Sequence, residues 1–138
     1  MIDQSTEFGT RAARHLREEI VVWLTTVTPS GSPLPMPVWF LWDGNESVAM
    51  YSMAGARIRN IEANPRVSLN FGGDGGGGDI VVLLGEATVD RDAPPPDQAA
   101  DYRAKYDEHI DRIGMTREAF AQRYKVPVRI RLTSLKGH

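Results

Sequence analysis

Three prolines spaced two apart, Pro33, Pro35 and Pro37, open the most apolar stretch of the chain and restrict its fold more than any other feature. Successive residues of a strand turn their N–H groups to alternate lateral sides, so the three missing donors all fall on one side. That side cannot carry a normal ladder, and the strand start is an edge or a gap in a sheet. The whole segment from Leu34 through Met36, Pro37, Val38 and Trp39 to Trp42 is apolar on both faces. Its neighbours read as an antiparallel meander, where strands usually leave one face to water. One face can fill a barrel; the other needs a cover, and a partner subunit, a flat ligand or the chain's own helices would each serve. The prolines fit a split lined by Met36, Val38 and Trp39 that admits a planar ring, and they fit equally an edge guarded against aggregation.

The flanking sequence completes the outline. Phe8, Ala12 and Leu16 recur every four residues among Arg11, Arg14, Arg17 and Glu18, which predicts an amphipathic first helix ending near Glu19. Strands are predicted over residues 20–28, 34–42 and 47–53, joined by Pro29-Ser30-Gly31-Ser32-Pro33 and Asp43-Gly44-Asn45. A two-turn helix from Ala56 to Asn64 is stopped by Pro65. Strands over 66–71 and 80–89 follow, with Gly85 as a candidate bulge and the glycine tract 72–78 between them as a mobile loop. Beyond Ala93-Pro94-Pro95-Pro96, the spacing of Tyr102, Tyr106, Ile110 and Ile113 predicts a helix, and a shorter one from about Thr116 to Tyr124 turns Ala119 and Phe120 inward. A last strand over 126–135 alternates Val128, Ile130 and Leu132 with Arg129, Arg131 and Thr133. The expected fold is mainly β: a six-stranded antiparallel split β-barrel with flanking helices, in one domain spanning residues 1–138.

Composition narrows the function. A net charge of −2 offers no basic face for nucleic acid. The chain has no cysteine, which rules out disulfides and thiolate chemistry. Its first residues carry Asp3 and Glu7 without an apolar stretch, and the uncharged run 20–42 holds four prolines, so neither a signal peptide nor membrane insertion is expected and the cytoplasm is the expected location. The run from Gly73 to Gly78 matches a dinucleotide-binding glycine pattern only by chance, because a strand and not a helix follows it. His15, His109 and His138 are too scattered for a metal site or for a catalytic triad, and no metal is expected.

Two basic features invite an anion. Arg57 and Arg59 fall in the first turns of a short helix with unpaired N–H groups, where cations oppose the helix dipole and a phosphate would correct the fault. Two solvated charges beside Glu62 account for the same residues. Near the end of the chain Arg123, Lys125, Arg129, Arg131 and Lys136 follow Glu118 with no acidic residue among them, either as a groove for an acidic ligand tail or as a solvated strand face.

Trp23-Leu24-Thr25-Thr26 with Gly31-Ser32-Pro33, then Pro37-Val38-Trp39-Phe40, Met50-Tyr51-Ser52, Arg57-Ile58-Arg59-Asn60-Ile61 with Asn64-Pro65-Arg66-Val67, and the stretch Tyr102 to Tyr106 stand in an order and spacing that covers nearly the whole chain. This pattern resembles the pyridoxamine 5'-phosphate oxidase-like split barrels, and more closely their actinobacterial deazaflavin-dependent branch. The resemblance implies a homodimer with two cofactor sites at the subunit interface, each built from both chains. It implies that Met36, Pro37, Val38 and Trp39 flank the tricyclic ring and that Tyr51, Ser52 and Met53 line the ring and the ribityl chain. Arg57 would take the place of the family's phosphate-binding lysine, with Arg59 and Asn60 beside it. Flavin-mononucleotide (FMN) oxidases of the family typically carry an arginine and a lysine around the second strand, where residues 36–42 here are only apolar or aromatic. The implied cofactor is therefore coenzyme F420, whose anionic oligoglutamate tail suits a basic groove, with FMN as the alternative. The expected activity is hydride transfer between reduced deazaflavin and a small conjugated organic substrate. An FMN-dependent oxidase or flavin reductase, and a non-catalytic coenzyme-binding carrier, are the alternatives. Nothing in the sequence nominates a protein acid or base.

Overall fold

The computed structural model describes residues 1–138. The Thr6 hydroxyl accepts from the Gly9 N–H and starts α1 (Glu7–Glu18), whose buried stripe is Ala12, Ala13 and Leu16. There follow β1 (Val21–Val27), β2 (Pro33–Trp39), β3 (Leu41–Trp42), β4 (Ser47–Ser52), α2 (Ala56–Ala63), β5 (Arg66–Asn70), β6 (Val81–Val89), α3 (Ala100–Arg112), α4 (Arg117–Arg123) and β7 (Val126–Gly137). All seven strands lie in one antiparallel sheet in the order β2-β1-β5-β6-β7-β4-β3. The two edge strands, β2 and β3, are consecutive in the chain and joined by Phe40 alone. The sheet therefore curls until its edges meet at one residue and leaves the rest of the seam unladdered, which makes a split barrel.

The strand count is seven, where the sequence predicts six, because Phe40 leaves the ladder and cuts the second strand in two. Its N–H donates to the Tyr106 hydroxyl at 2.8 Å, and its carbonyl accepts from that hydroxyl at 2.7 Å and from Lys105 Nζ at 2.9 Å. The Tyr106 hydroxyl also faces the Ile20 carbonyl at 2.8 Å. One phenol on α3 thus serves backbone groups that a neighbouring strand would otherwise pair, and burial raises its pKa so that it keeps its proton. The prolines lie where their chemistry requires. Pro33, Pro35 and Pro37 face Val27, Thr25 and Trp23 of β1, the only neighbour of β2, so the ladder runs through Leu34, Met36 and Val38 and the donor-free side is the open edge.

Inward residues of every long strand, among them Val22, Leu24, Met50, Leu69, Leu83 and Ile130, form the barrel core together with Leu16 of α1 and Ile58 and Ile61 of α2. A second, aromatic cluster lies outside the barrel along the split: Tyr102, Tyr106 and Ile110 of α3 with Phe120 of α4, against Trp39, Leu41 and Tyr51. Ala119 is exposed, not inward, since Phe120 alone of the α4 residues is buried in the cluster. Gly85 sits at a register shift between β6 and β7, and a Cβ there would lie 2.7 Å from the Arg131 carbonyl oxygen, so the close strand approach requires glycine. The glycine tract, expected as a mobile loop, is folded on itself. The Asp74 carboxylate accepts from the Gly76 and Gly78 N–H groups at 2.8 and 2.9 Å, which holds its pKa below the usual carboxylate range. Asp79, at a φ of 54°, then ties the tract to α1 through Arg11 at 2.7 Å and His15 at 2.9 Å.

Two expected outcomes follow from the seam at Phe40. Tyr106→Phe leaves the buried Phe40 N–H without an acceptor and should cost about 1–3 kcal/mol, read as a lower urea midpoint; an unchanged midpoint would mean that the strands close without the phenol. Lys105 is half-buried, its ammonium 3.8 Å from the Phe40 ring centroid, and desolvation lowers its pKa from 10.5 to about 8. The folded chain thus holds this proton less tightly than the unfolded chain, so the penalty is full below pH 8 and is relieved as pH rises towards 10.5. Stability of the native chain relative to Lys105→Met should therefore rise by about 1–2 kcal/mol over that window, after allowance for partial solvent screening; parallel pH profiles of the two proteins would refute it.

Candidate functional site

A crevice of about 280 Å³ opens where α3 and α4 fold over the ends of β2 and β4. Pro37, Val38 and Trp39 of β2 and Tyr51 of β4 supply the sheet wall, with Met53 just beyond β4. Tyr102 and Ile113 come from α3 and its C-cap, Phe120, Arg123 and Tyr124 from α4 and its C-cap, and Arg57 from the first turn of α2.

Of the residues nominated from sequence, the structure brings Pro37, Val38, Trp39, Tyr51, Met53 and Arg57 together around this space. Met36, Ser52, Arg59 and Asn60 do not line it. Met36 alternates with Pro37 and Trp39 along β2 and is 45% exposed. Ser52 is fully buried, and its hydroxyl donates to the Met53 carbonyl at 2.8 Å while accepting from Arg57 Nη1 at 3.1 Å. It therefore orients the guanidinium without reaching the space itself. On α2 the side chains rotate by about 100° per residue, which turns Arg59 away from the side shared by Arg57 and Asn60, and Asn60 is taken up by β1. Arg57 faces the crevice; Arg59 points to solvent; Asn60 is buried and donates to the Thr26 hydroxyl at 3.2 Å, tying α2 to β1.

Trp39 is covered by the chain's own helices. Its indole stacks on Tyr106 at 4.8 Å and on Phe120 at 5.4 Å, nearly parallel to both. The expected continuous wall from Met36 to Trp39 is thus divided: Trp39 belongs to the aromatic roof, and Met36, with Leu34, to an exposed patch on the other face of β2. Val21 and Trp23 are uncovered on the face that carries Pro37 and Trp39, with Trp23 42% exposed. Trp23 faces Pro37 in register and Val21 faces Trp39, so this second patch borders the crevice.

The electrostatics of the crevice are one-sided. Arg57 is half-buried, and desolvation pulls its pKa below the usual guanidinium value. Arg123 donates from Nε to Met53 Sδ at 3.4 Å and lies over the Tyr124 ring. Neither has a carboxylate within ion-pairing distance. Tyr51 donates its hydroxyl to the Pro94 carbonyl at 2.7 Å, which fixes its ring, and burial raises its pKa. The expected basic groove at the end of the chain is dispersed: Arg131 pairs with Glu86 at 2.9 Å, Arg129 donates to the Ser47 hydroxyl at 3.1 Å, and only Arg123 reaches the crevice. A larger concavity of about 500 Å³ lies on the other side of Tyr51. Asp43, Asp90 and Asp101 line it and its one cation is the engaged Arg129, so its chemistry does not suit a phosphate.

Sequence reasoning gave Tyr102, Ile113, Phe120 and Tyr124 no place in the site, although the helical spacing of Tyr102, Ile113 and Phe120 was visible. What was not visible is where α3 and α4 land, because that is set by the long-range bond from Tyr106 to Phe40.

A curled antiparallel sheet, split along an aromatic roof and holding a cation in an apolar crevice, is the architecture of the split-barrel proteins. Residues 9–133 match the family described as pyridoxamine 5'-phosphate oxidase, and the chain belongs to that family. Among solved structures, one named F420 reductase is 26% identical, with 88% of this chain and 92% of that chain covered at a TM-score of 0.66. A FAD-binding protein from Mesorhizobium loti is 23% identical over 91% of this chain and 90% of its own, at a TM-score of 0.67. General Stress Protein 26 from Bacillus anthracis is 17% identical over 91% and 89%, at 0.66. At these last two identities the likeness is one of fold. No curated protein sequence matches the chain, and no helix is long and apolar enough to cross a membrane.

Proposed function

We propose that this protein is a cytoplasmic homodimeric oxidoreductase that binds coenzyme F420 and reduces a small conjugated organic substrate. Arg57 carries the reading. A half-buried guanidinium in an apolar crevice, with a serine hydroxyl as its partner and no carboxylate, is a cation short of an anion. A cofactor phosphate is the anion such a group fits. Membership of the pyridoxamine 5'-phosphate oxidase family supports redox chemistry, and the F420 reductase of similar fold supports the deazaflavin. FMN carries a phosphate too, so the Arg57 argument serves both cofactors; the absence of any cation between Met36 and Trp42 favours the deazaflavin.

The bound deazaflavin would supply the hydride chemistry. The chain's own residues bind and position. Ser52, held by the Met53 carbonyl, aims Arg57 at the phosphate. Pro37, Val38, Phe120 and the fixed Tyr51 ring exclude water, which strengthens the pull of Arg57 on an anion. Tyr51 and Tyr102 both have pKa values raised by burial and stay neutral, so neither is poised as a base. Arg59, Asn60 and Met36 act around this core: Asn60 fixes α2, and Met36 is exposed on the opposite face of β2 from Pro37 and Trp39.

A pocket that encloses a cofactor-sized ligand commonly measures about 300–1,000 Å³, and this half-open crevice of 280 Å³ falls short of that range. A second copy laid over Val21 and Trp23, on the face that carries Pro37 and Trp39, would cover this apolar patch and complete the site.

Titration of the purified protein should show F420 binding, weakened by about 1.5–3 kcal/mol in Arg57→Ala, the range for a hydrogen bond to a charged group. An unchanged dissociation constant removes Arg57 from the site, and tight FMN binding without F420 binding exchanges the cofactor. Cofactor binding without turnover on a broad substrate panel would leave a carrier instead of an enzyme. Trp23→Asp should convert the dimer to a monomer in light scattering; a dimer that persists places the interface elsewhere.

A further inference from the structure

Arg57 accounts for one anion, and Arg123 is left over. It stands at the end of α4, and its Nε reaches Met53 Sδ at 3.4 Å, 70 residues away in sequence. The side chain therefore spans from α4 to the segment that follows β4, both of which line the crevice. A thioether is a weak acceptor, and no carboxylate competes for this guanidinium. Its fork of donors suits a carboxylate in particular. The apolar lining nearest it in the chain, Phe120 on the same face of α4 and Ile113 before that helix, offers contact to a hydrocarbon body. Ile113 is 52% exposed, so its side chain is accessible to a molecule that enters the crevice.

We propose that Arg123 binds the carboxylate of the substrate, so that the crevice selects small conjugated carboxylic acids over their neutral counterparts. This rests on the reading that Arg57 holds the cofactor phosphate. The two cations then have separate duties: the more buried one, on α2, anchors the cofactor, and the exposed one, on α4, receives the molecule that enters and leaves. Displacement of the Met53 thioether by a carboxylate exchanges a weak acceptor for a charged one, so occupancy costs the resting protein little. The acidic tail of the cofactor offers the same carboxylate chemistry, and the test separates the two sources.

The probes are trans-cinnamate and its uncharged methyl ester, titrated into cofactor-loaded protein and followed by tryptophan fluorescence. Native protein should bind the acid at least tenfold more tightly than the ester. Arg123→Gln should erase that preference, Arg123→Lys should restore part of it, and both variants should keep the native affinity for F420. Equal affinities for acid and ester in the native protein overturn the proposal. So does a loss of F420 affinity in Arg123→Gln that is not seen with a tail-free deazaflavin, because it assigns Arg123 to the cofactor tail. If the native protein binds neither F420 nor FMN, the cofactor reading fails by itself; the acid and ester comparison is then made on the cofactor-free chain, whose own residues form this wall, and decides the role of Arg123 separately.

Discussion

The hydroxyl of Tyr106 holds the molecule in its functional shape. A sheet whose two edge strands are joined by one residue must strand the backbone groups of that residue, since neither edge can pair them. Phe40 is buried, so water cannot serve it. The phenol of α3 accepts from its N–H and, with Lys105, meets its carbonyl. This pins α3 across the split, and the aromatic contacts of Tyr102, Trp39 and Phe120 bring α4 with it. The crevice is the space left under that roof. Its position is therefore a consequence of how the barrel closes.

The same closure divides the apolar surplus of β2. Trp39, nearest the seam, falls under the helices; Met36 and Leu34, farther out along the proline-guarded edge, do not. A strand that is apolar on both faces is thus covered by the chain at its Trp39 end and left bare at Leu34 and Met36. Because Trp23 stands opposite Pro37, the other bare apolar patch, Val21 and Trp23 on β1, adjoins the crevice wall. Strand register alone sets that exposed patch beside the crevice.

What was legible in the sequence was local. The prolines gave the edge, Gly85 the bulge, Pro65 the end of α2, and the alternation of Val128, Ile130 and Leu132 the inward face of β7, because each rests on the conformational limits of single residues or on a period of two. The break at Phe40 was not legible, since an apolar residue between two apolar neighbours carries no mark of a side chain 66 positions away that takes its hydrogen bonds. Ser52, Arg59 and Asn60 show the same limit. As residue types next to Arg57 they all suit a phosphate, and only the rotation of α2 and the partner of Asn60 on β1 separate the one that faces the crevice from the ones that support it or leave it. Asp74 turned a tract that composition alone makes flexible into a closed turn.

Arg57 ties the energetics to the function. Burial lowers its pKa because the folded chain has removed water from the guanidinium without providing a carboxylate in return. A hydroxyl at 3.1 Å satisfies one donor and none of the charge. The apolar walls that make this cation costly in the resting protein are the same walls that would keep solvent from competing with an anion placed there, so an unfavourable feature of the chain alone would be the source of affinity in the proposed complex. Replacing the surrounding Pro37, Val38 and Phe120 by polar residues would relieve the cost and weaken the attraction together, which is why the aromatic roof over the split and the charge beneath it have to be understood as one device.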